Sequence, residues 1–399
     1  MHLQVRLPKV EPAQLELPTH CPFRDRRNRK KKCSGTVFKA HQLYCRKPLR
    51  DTRHVQVIAR RYRCLKCQRT FRVYPLGVSS AHHSDTLRGL SVLLYVLGLS
   101  YQGVSDLLES LGFFLGKTTV YENVQVAGRQ AIQLRQKWLK QQAGQVKVLS
   151  VDFTHVKCQR QERIVAVATA VLTGQPLTFD LLETETAFHI ERWIRQLAKT
   201  LGAEVLVTDD ADGLKNVSED LGLQQQICRA HVNRNVHDLI GVLGTQALEH
   251  PHPVPWELNA TGVTLDQFLE DLTSVEGIIC SVPFDGQRQL ETLAERYQYA
   301  PPPTLGHRAT MWYRFRRLVG DWHENWARLA LYLHWRGEHG EKLDGTNNVT
   351  EQVIGQCIKE RYRTMRGYKR DESILNVSSL VGWLRTQGPG GDMSALVSG

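Results

Sequence analysis

From residue 147 onward the apolar residues come in short runs of strand length. "KVLSVDFTH" (147–155), "RIVAVATAVL" (163–172) and "PLTFDLLE" (176–183) are rich in β-branched and aromatic residues, and a helical pattern near 187–201 then leads into "AEVLVTDD" (203–210). Three strands joined without helices, then helix and strand, predict an RNase H-like α/β sheet that begins as a meander and continues in parallel. In the first strand, alternation puts Leu149, Val151 and Phe153 on one face and Ser150, Asp152 and Thr154 on the other. Packing is expected on the first face and chemistry on the second.

Upstream, residues 84–141 follow a helical period. Leu87, Leu90, Leu94 and Leu97 recur three or four apart, "GLSYQGVSDLLESLG" offers a turn, a capping Ser100 and a short helix, and "GKTTVYENVQVAGRQ" opens a third helix. This is a helix-turn-helix pattern, in which Lys117, Thr118, Thr119 and Tyr121 near the start of the third helix are the candidates for entering a major groove. After about 245 the strand signals stop. "PHPVPW" and "YAPPPT" punctuate a helical stretch, a long helix is expected from about 348, and "GPGGDMSALVSG" reads as a frayed tail.

Charge divides the chain. Its net charge is +12, yet between Cys21 and Arg72 18 Lys/Arg meet only Asp25 and Asp51, a surplus of 16 that leaves the remainder at −4. So basic a block on a folded module points to a polyanion, most often nucleic acid. The same block carries "CPFRDRRNRKKKC" and "YRCLKCQRTF", where the C-x2-C knuckle of Cys64 and Cys67 and the wider pair Cys21 and Cys33 predict a zinc ribbon with one structural Zn2+. Cys45 or His41 is an alternative for one member, and Arg61, Arg63 and Arg69 around the second knuckle are DNA-binding candidates. Nine cysteines, an odd number and mostly scattered outside this cluster, fit a reducing compartment better than disulfides. No apolar run of membrane length and no secretory signal is present, so a soluble intracellular protein is expected.

The strand "EVLVTDD" delivers Asp209 at its C-terminal edge, with Asp210 pointing to the opposite face, and "TNNVTEQVIG" opens a helix whose packed stripe of Val349, Val353, Ile354, Cys357 and Ile358 leaves Glu351 free to look back at the sheet. An Asn348-x-x-Glu351 capping box is the structural alternative for that glutamate. Two strands and one helix thus supply carboxylates in the order an RNase H-like phosphoryl-transfer site requires, and oxygen ligands of this kind suit two Mg2+ ions roughly 4 Å apart.

"VDFTHV", "VTDDADGL", "ICRAHVNRNV" and "TNNVTEQVIGQCIKERYRTMRGY" together resemble DDE-type bacterial insertion-sequence transposases of the Mutator-like kind, and the ribbon and helix-turn-helix resemble the end-binding modules such proteins carry. The resemblance covers most of the chain. It implies that Asp152, Asp209 and Glu351, separated by 57 and 142 residues, form the catalytic and Mg2+-binding triad, with Mn2+ as a substitute ion. Asp210 stands where similar proteins often carry Gly, and "CRAH" supplies Cys228 and His231, a C-x2-H found in similar transposases and read here as active-site support.

The expected fold class is therefore multidomain α+β. Residues 1–80 form the zinc ribbon, 81–145 the helix-turn-helix, 146–245 the first part of the RNase H-like core, 246–345 an all-α insertion, 346–387 the core's final helix region and 388–399 a flexible tail. A chain without 1–145 is expected to keep its catalytic fold. By the same resemblance the protein binds the terminal inverted repeats of its own element, cleaves a strand and joins the freed 3′ hydroxyl to target DNA. It would act as a homodimer or larger assembly in the bacterial cytoplasm, at the nucleoid and away from membranes. The rival expectation is a non-catalytic, sequence-specific DNA-binding regulator derived from a transposase.

Overall fold

The computed structural model describes residues 5–24, 31–184, 186–249, 262–303, 308–365, 367–387 and 390–397, so part of the "RNRKKK" block lies outside the described residues. The chain divides into two compact units, one built from 1–138, 156–162 and 355–399 and the other from 139–155 and 163–354.

The first unit opens with β1 (Val5–Arg6) and a three-stranded antiparallel sheet, β2 (Phe38–Pro48), β3 (Gln56–Cys64) and β4 (Thr70–Val73), in that order. Strand β2 carries extra residues between Ala40 and Gln42 and between Gln42 and Cys45, and such bulges twist a ribbon. Alternation along β3 then serves two small cores on opposite faces. Val57 packs with Val10 and Leu49 at one end, and Cys64 joins Cys21 and Cys33 beside Phe23, Phe38 and Phe71 at the other. Three helices follow: α1 (Asp85–Val96), α2 (Tyr101–Ser110) and α3 (Lys117–Gln141). Ser100 caps α2 by accepting the Gly103 N–H at 3.0 Å, as its sequence position predicts. The buried side of α1 is Leu87, Ser91, Val92, Tyr95 and Val96; of the rest of the leucine stripe Leu90 and Leu94 are half-buried and Leu97 is 48% exposed. Small Ser91 is admitted because its hydroxyl meets the Arg88 carbonyl and the Asn123 amide.

The second unit is mixed α/β. Its sheet runs in the order β7 (Gln175–Leu182), β6 (Gln161–Ala170), β5 (Val148–Cys158), β8 (Val205–Thr208), β9 (Gln224–Ile227), with β6 and β7 antiparallel and β5, β8 and β9 parallel. Helix α4 (Ala187–Leu201) connects the meander to β8, and α5 (Asp212–Asp220) connects β8 to β9. Because β5 is central, both of its faces are covered: Ser150 and Thr154 are buried and Phe153 is half-buried, so the expected division into one packed and one open face does not hold. Strand β9 was not legible in "LQQQIC". Gln225 and Gln226 are buried because their amides are satisfied, Gln225 by Thr208 at 2.8 Å and Gln226 by the Leu329 carbonyl and the Tyr332 N–H at 3.1 and 2.7 Å.

Helices α6 (Arg229–Glu249), α7 (Leu265–Ser281), α8 (Gly286–Arg296), α9 (Met311–Glu324) and α10 (Trp326–His334) share a core built on Phe268, Tyr297, Trp312 and Phe315. Helix α11 (Asn348–Ile354) closes the unit.

The chain then re-enters the first unit, and the long helix expected from 348 is interrupted. A π-helical turn, Gly355–Lys359, separates α11 from α12 (Glu360–Met365), and α13 (Asp371–Thr386), β10 (Gly391–Asp392) and α14 (Ser394–Val397) complete the fold. The C-terminal segment is no frayed tail over its described residues. β10 pairs in parallel with β1, and Met393, Leu396 and Val397 are buried, apolar groups that the surrounding glycines obscured in the sequence. Residues 1–138 and 355–399 fold as one body: α3 and α13 meet so closely that a Cβ on Gly128 would lie 2.5 Å from the Asn376 carbonyl oxygen. A chain cut at 145 would remove that partner of 355–399. No helix among the described residues is long and apolar enough to cross a membrane.

Candidate active site and metal centre

Parallel pairing sets the level of the first two carboxylates. Ser150 on β5 pairs with Val207 on β8, so two residues further along Asp152 reaches the level of Asp209, just beyond the end of β8 at Thr208. Neighbouring strands lie about 4.8 Å apart. The Phe153 N–H donates to Asp152 Oδ1 at 2.7 Å and the Ala211 N–H to Asp209 Oδ1 at 3.1 Å. Burial pushes the Asp152 carboxyl up to about 6; the Phe153 N–H opposes this, Asp209 and Glu351 add to it, and His231 draws it back. Asp210 turns away, accepting both contacts of the Asn235 amide at 3.2 Å from α6. Of the aspartate pair it is Asp209 that faces Asp152.

Glu351 arrives on α11, which buried hydroxyl groups fasten to the sheet. Thr350 donates to Ser150 Oγ at 2.7 Å, and Thr169 then donates to Thr350 Oγ1 at 2.6 Å, since the single Thr350 hydrogen is already committed. All three residues are fully buried. Ser150 shares its face with Asp152, so anchoring Thr350 over Ser150 brings the next residue toward Asp152. The helix begins at Asn348 with Asn347 as its cap, whose carbonyl accepts the Glu351 N–H at 3.1 Å; the capping-box spacing therefore falls one residue out, and the Glu351 carboxylate instead meets His231 Nε2 at 3.4 Å.

Cys228 explains the C-x2-H spacing. Its N–H donates to the Thr208 carbonyl at 2.7 Å, its thiol donates to Asn347 Oδ1 at 3.0 Å, and the Asn347 N–H returns to the sulfur at 3.3 Å. Through its N–H and its thiol, Cys228 thus joins the end of β8, the start of α6 and the start of α11. One turn along α6, His231 is raised to about 9 by the Cys228 thiol beside it, against its own desolvation, with help from the Glu351 and Asp152 carboxylates. A proton held there offsets part of the carboxylate charge. Sequence reasoning marked Cys228 and His231 but missed Ser150, Thr169, Thr350 and Asn347; for Ser150 and Thr169 a small polar residue inside an apolar run was the available signal.

The hydroxyl anchor carries a testable consequence. Thr350→Val leaves two buried hydroxyls unpartnered and is expected to lower stability by about 1–3 kcal/mol. Any activity that depends on Glu351 should fall at least about tenfold through its misplacement, and Thr350→Ser should restore both. A Thr350→Val protein as stable as the parent would rule out the anchoring role.

The four cysteines of the ribbon converge. The sulfurs of Cys21, Cys33, Cys64 and Cys67 all lie within 4.8 Å of one another, and Cys21 and Cys67 are 3.6 Å apart, close to the roughly 3.8 Å edge of a tetrahedron with Zn–S bonds of about 2.3 Å. A Cβ on Gly35 would fall 2.4 Å from the Cys64 sulfur, so only glycine lets the chain pass there. Burial pushes the Cys21 thiol up to about 12, whereas Cys67, despite desolvation, is brought down to about 6 by the Arg69 N–H and side chain and by neighbouring thiols. The cluster is consistent with a zinc site. Cys45 donates to the Ala59 carbonyl instead, and His41 lies outside the cluster. Among the described residues no second group of three or more such ligands closes as tightly, and the carboxylates are an all-oxygen set suited to Mg2+.

The remaining candidates are spread over the surface. Lys117 and Thr118 are exposed at the start of α3, Thr119 and Tyr121 are half-buried, and the Tyr121 ring packs edge-on against Tyr101. Arg63 is exposed and Arg61 half-buried, while the Arg69 guanidinium lies over Phe23 and donates to the Arg24 carbonyl, engaged within the ribbon. The aromatic and arginine stretch "RATMWYRFRR" (308–317) buries Trp312 and Phe315 in the helical core.

Comparison with known proteins adds a family. Residues 82–252 match the model of the transposase IS66 family. The matched stretch, less than half of the chain, contains Asp152 and Asp209 and supports an insertion-sequence transposase, with no support for the Mutator-like kind in particular. No curated protein matches the chain. Among solved structures, the HTLV-2 integrase catalytic core domain in complex with magnesium is matched in a dimeric form (TM-score 0.19, 15% identity, 32% of this chain and 82% of that one) and a trimeric form (0.19, 14%, with the same coverage). The BIV integrase catalytic core domain follows at 0.18 and 14% identity, over 49% of this chain and 90% of that one. Likeness at this level is too slight to argue from.

Proposed function

We propose that the protein is a DDE transposase with an RNase H-like catalytic sheet, which binds the terminal inverted repeats of its own element and carries out strand cleavage and strand transfer. The observation that carries the reading is that Asp152 on β5 and Asp209, just beyond the end of the adjacent parallel β8, stand at one level, with Glu351 brought toward them by the Thr350 anchor. The IS66 match supports it, whereas the Mutator-like kind is favoured by sequence resemblance alone. Asp152, Asp209 and Glu351 would hold two Mg2+, or Mn2+ in their place. Such ions activate the attacking oxygen and stabilise the leaving one.

The chain's own groups do the positioning. The Phe153 N–H fixes one oxygen of Asp152, the Ala211 N–H fixes one of Asp209, and His231 holds Glu351 until cation arrives. The ribbon, with Arg61 and Arg63, would grip DNA electrostatically, and α3, with Lys117, Thr118, Thr119 and Tyr121, would read the element end. Two ends must be brought together with target DNA, which calls for a homodimer or larger assembly acting in the cytoplasm, at the nucleoid.

The test is strand cleavage of a labelled element end with Mg2+ by the full-length protein. Nicking at the end's terminus supports the enzyme. End binding without cleavage under any divalent cation would sink it in favour of the rival reading, a regulator derived from a transposase.

A further inference from the structure

The ribbon's three strands carry seven Lys/Arg and no Asp or Glu, and their register forces some of these cations together. Lys39 on β2 is directly opposite Arg63 on β3, and Arg61 on β3 is directly opposite Arg72 on β4. Opposite residues of an antiparallel pair share a face, and Arg61 and Arg63 share one because they are two apart. Tyr62 and Cys64 are buried on the other face. Four cations from three adjacent strands therefore stand on one surface, Lys39, Arg63 and Arg72 exposed and Arg61 half-buried, and no carboxylate among the described residues pairs with any of them.

Like charges directly opposite each other destabilise a sheet, and cross-strand Cβ atoms are only about 5 Å apart, well inside the screening length of about 8 Å at physiological salt. A fold that keeps two such pairs side by side gains by neutralising them from outside. The polar residues completing the two rows are Gln42 and Thr70, so the face offers donors and charge but no apolar anchor of the kind protein interfaces use. Phosphate oxygens accept such groups without regard to base sequence.

We propose that this face of β2–β4 clamps the phosphate backbone of duplex DNA independently of sequence, setting the position of the duplex while bases are read elsewhere. It rests on the reading above that the protein acts on DNA, and it assigns the ribbon's part to one surface. Arg46, paired opposite Ile58 and on the other face, lies outside it.

The experiment uses the full-length, zinc-loaded protein and a labelled duplex of scrambled sequence, with affinity measured across a salt series. Replacing Lys39, Arg61, Arg63 and Arg72 together by Gln is expected to reduce the magnitude of the log K against log salt slope by roughly 3–4, and to weaken binding at low salt at least about tenfold. The DNA-free melting temperature should rise, because the repulsion is gone. Arg46→Gln should change the slope by less than about 1. An unchanged slope in the quadruple variant overturns the proposal, as does a loss of binding accompanied by a lower melting temperature, or retained DNA binding with lost affinity for polyglutamate, which would mark an acidic-protein surface. A parental protein that never cuts element ends while the slope falls as expected refutes the transposase reading and leaves this face standing.

Discussion

Asp152→Asn is expected to abolish Mg2+-dependent strand cleavage and yet to stabilise the metal-free fold. Loss of a carboxylate from a two-ion site removes on the order of 4 kcal/mol of transition-state stabilisation, roughly 10³-fold in rate. The side chain keeps its volume, and its strand is held by pairing with β6 and β8 on either side. Stability moves the other way because the native carboxyl keeps its proton up to about 6, whereas its ordinary value is 3.8. Between those values folding takes up a proton, so stability falls as pH rises through the window, and above it the ionised Asp152 disfavours the metal-free fold by about 3 kcal/mol. The variant should lack that decline and melt higher than the parent at pH 7 without metal. Mg2+ should raise the parent's melting temperature more than the variant's. Cleavage near the parental rate would remove Asp152 from the metal site, and a variant that melts far below the parent at all pH values would make its carboxylate structural.

Removal of zinc is expected to unfold the ribbon. The module has few apolar residues around Cys21, Cys33 and Cys64, and structural zinc supplies apparent binding energies of about 10–16 kcal/mol in comparable small modules at pH 7. Purified protein should contain about one zinc per chain. Chelation, or Cys64→Ser, should expose the basic segment to trypsin and remove DNA binding. Cys64 is the most telling member, since it is fully buried and its N–H also ties the knuckle to the Arg69 carbonyl at 3.0 Å. Affinity for zinc should weaken as pH falls, because protons compete for the thiolates. A metal-free preparation whose ribbon resists trypsin as the parent does would show that the cysteines pack without an ion.

What the sequence by itself determined was local. Period-two and period-3.6 patterns located the meander, α4, β8 and the three helices of the first unit, because burial of one face imposes its period on the residues that supply it. Cysteine spacing found the four convergent sulfurs, and charge counting found the basic module. Tertiary structure alone decided what depends on register and on partners far away in the chain. The pairing of Ser150 with Val207 is what levels Asp152 with Asp209, and the turn of Asp210 to Asn235 is what separates two adjacent aspartates that the sequence presents alike. Gln225 and Gln226 became strand residues because their amides found partners from other elements, and Met393, Leu396 and Val397 became core because β1 offered an edge. Glu351 is the clearest case: its 142-residue distance from Asp209 carries no geometric information, and it is brought toward the sheet by a hydrogen of the preceding threonine. A buried hydroxyl must find an acceptor wherever the fold provides one, and that requirement is satisfied in space rather than along the chain.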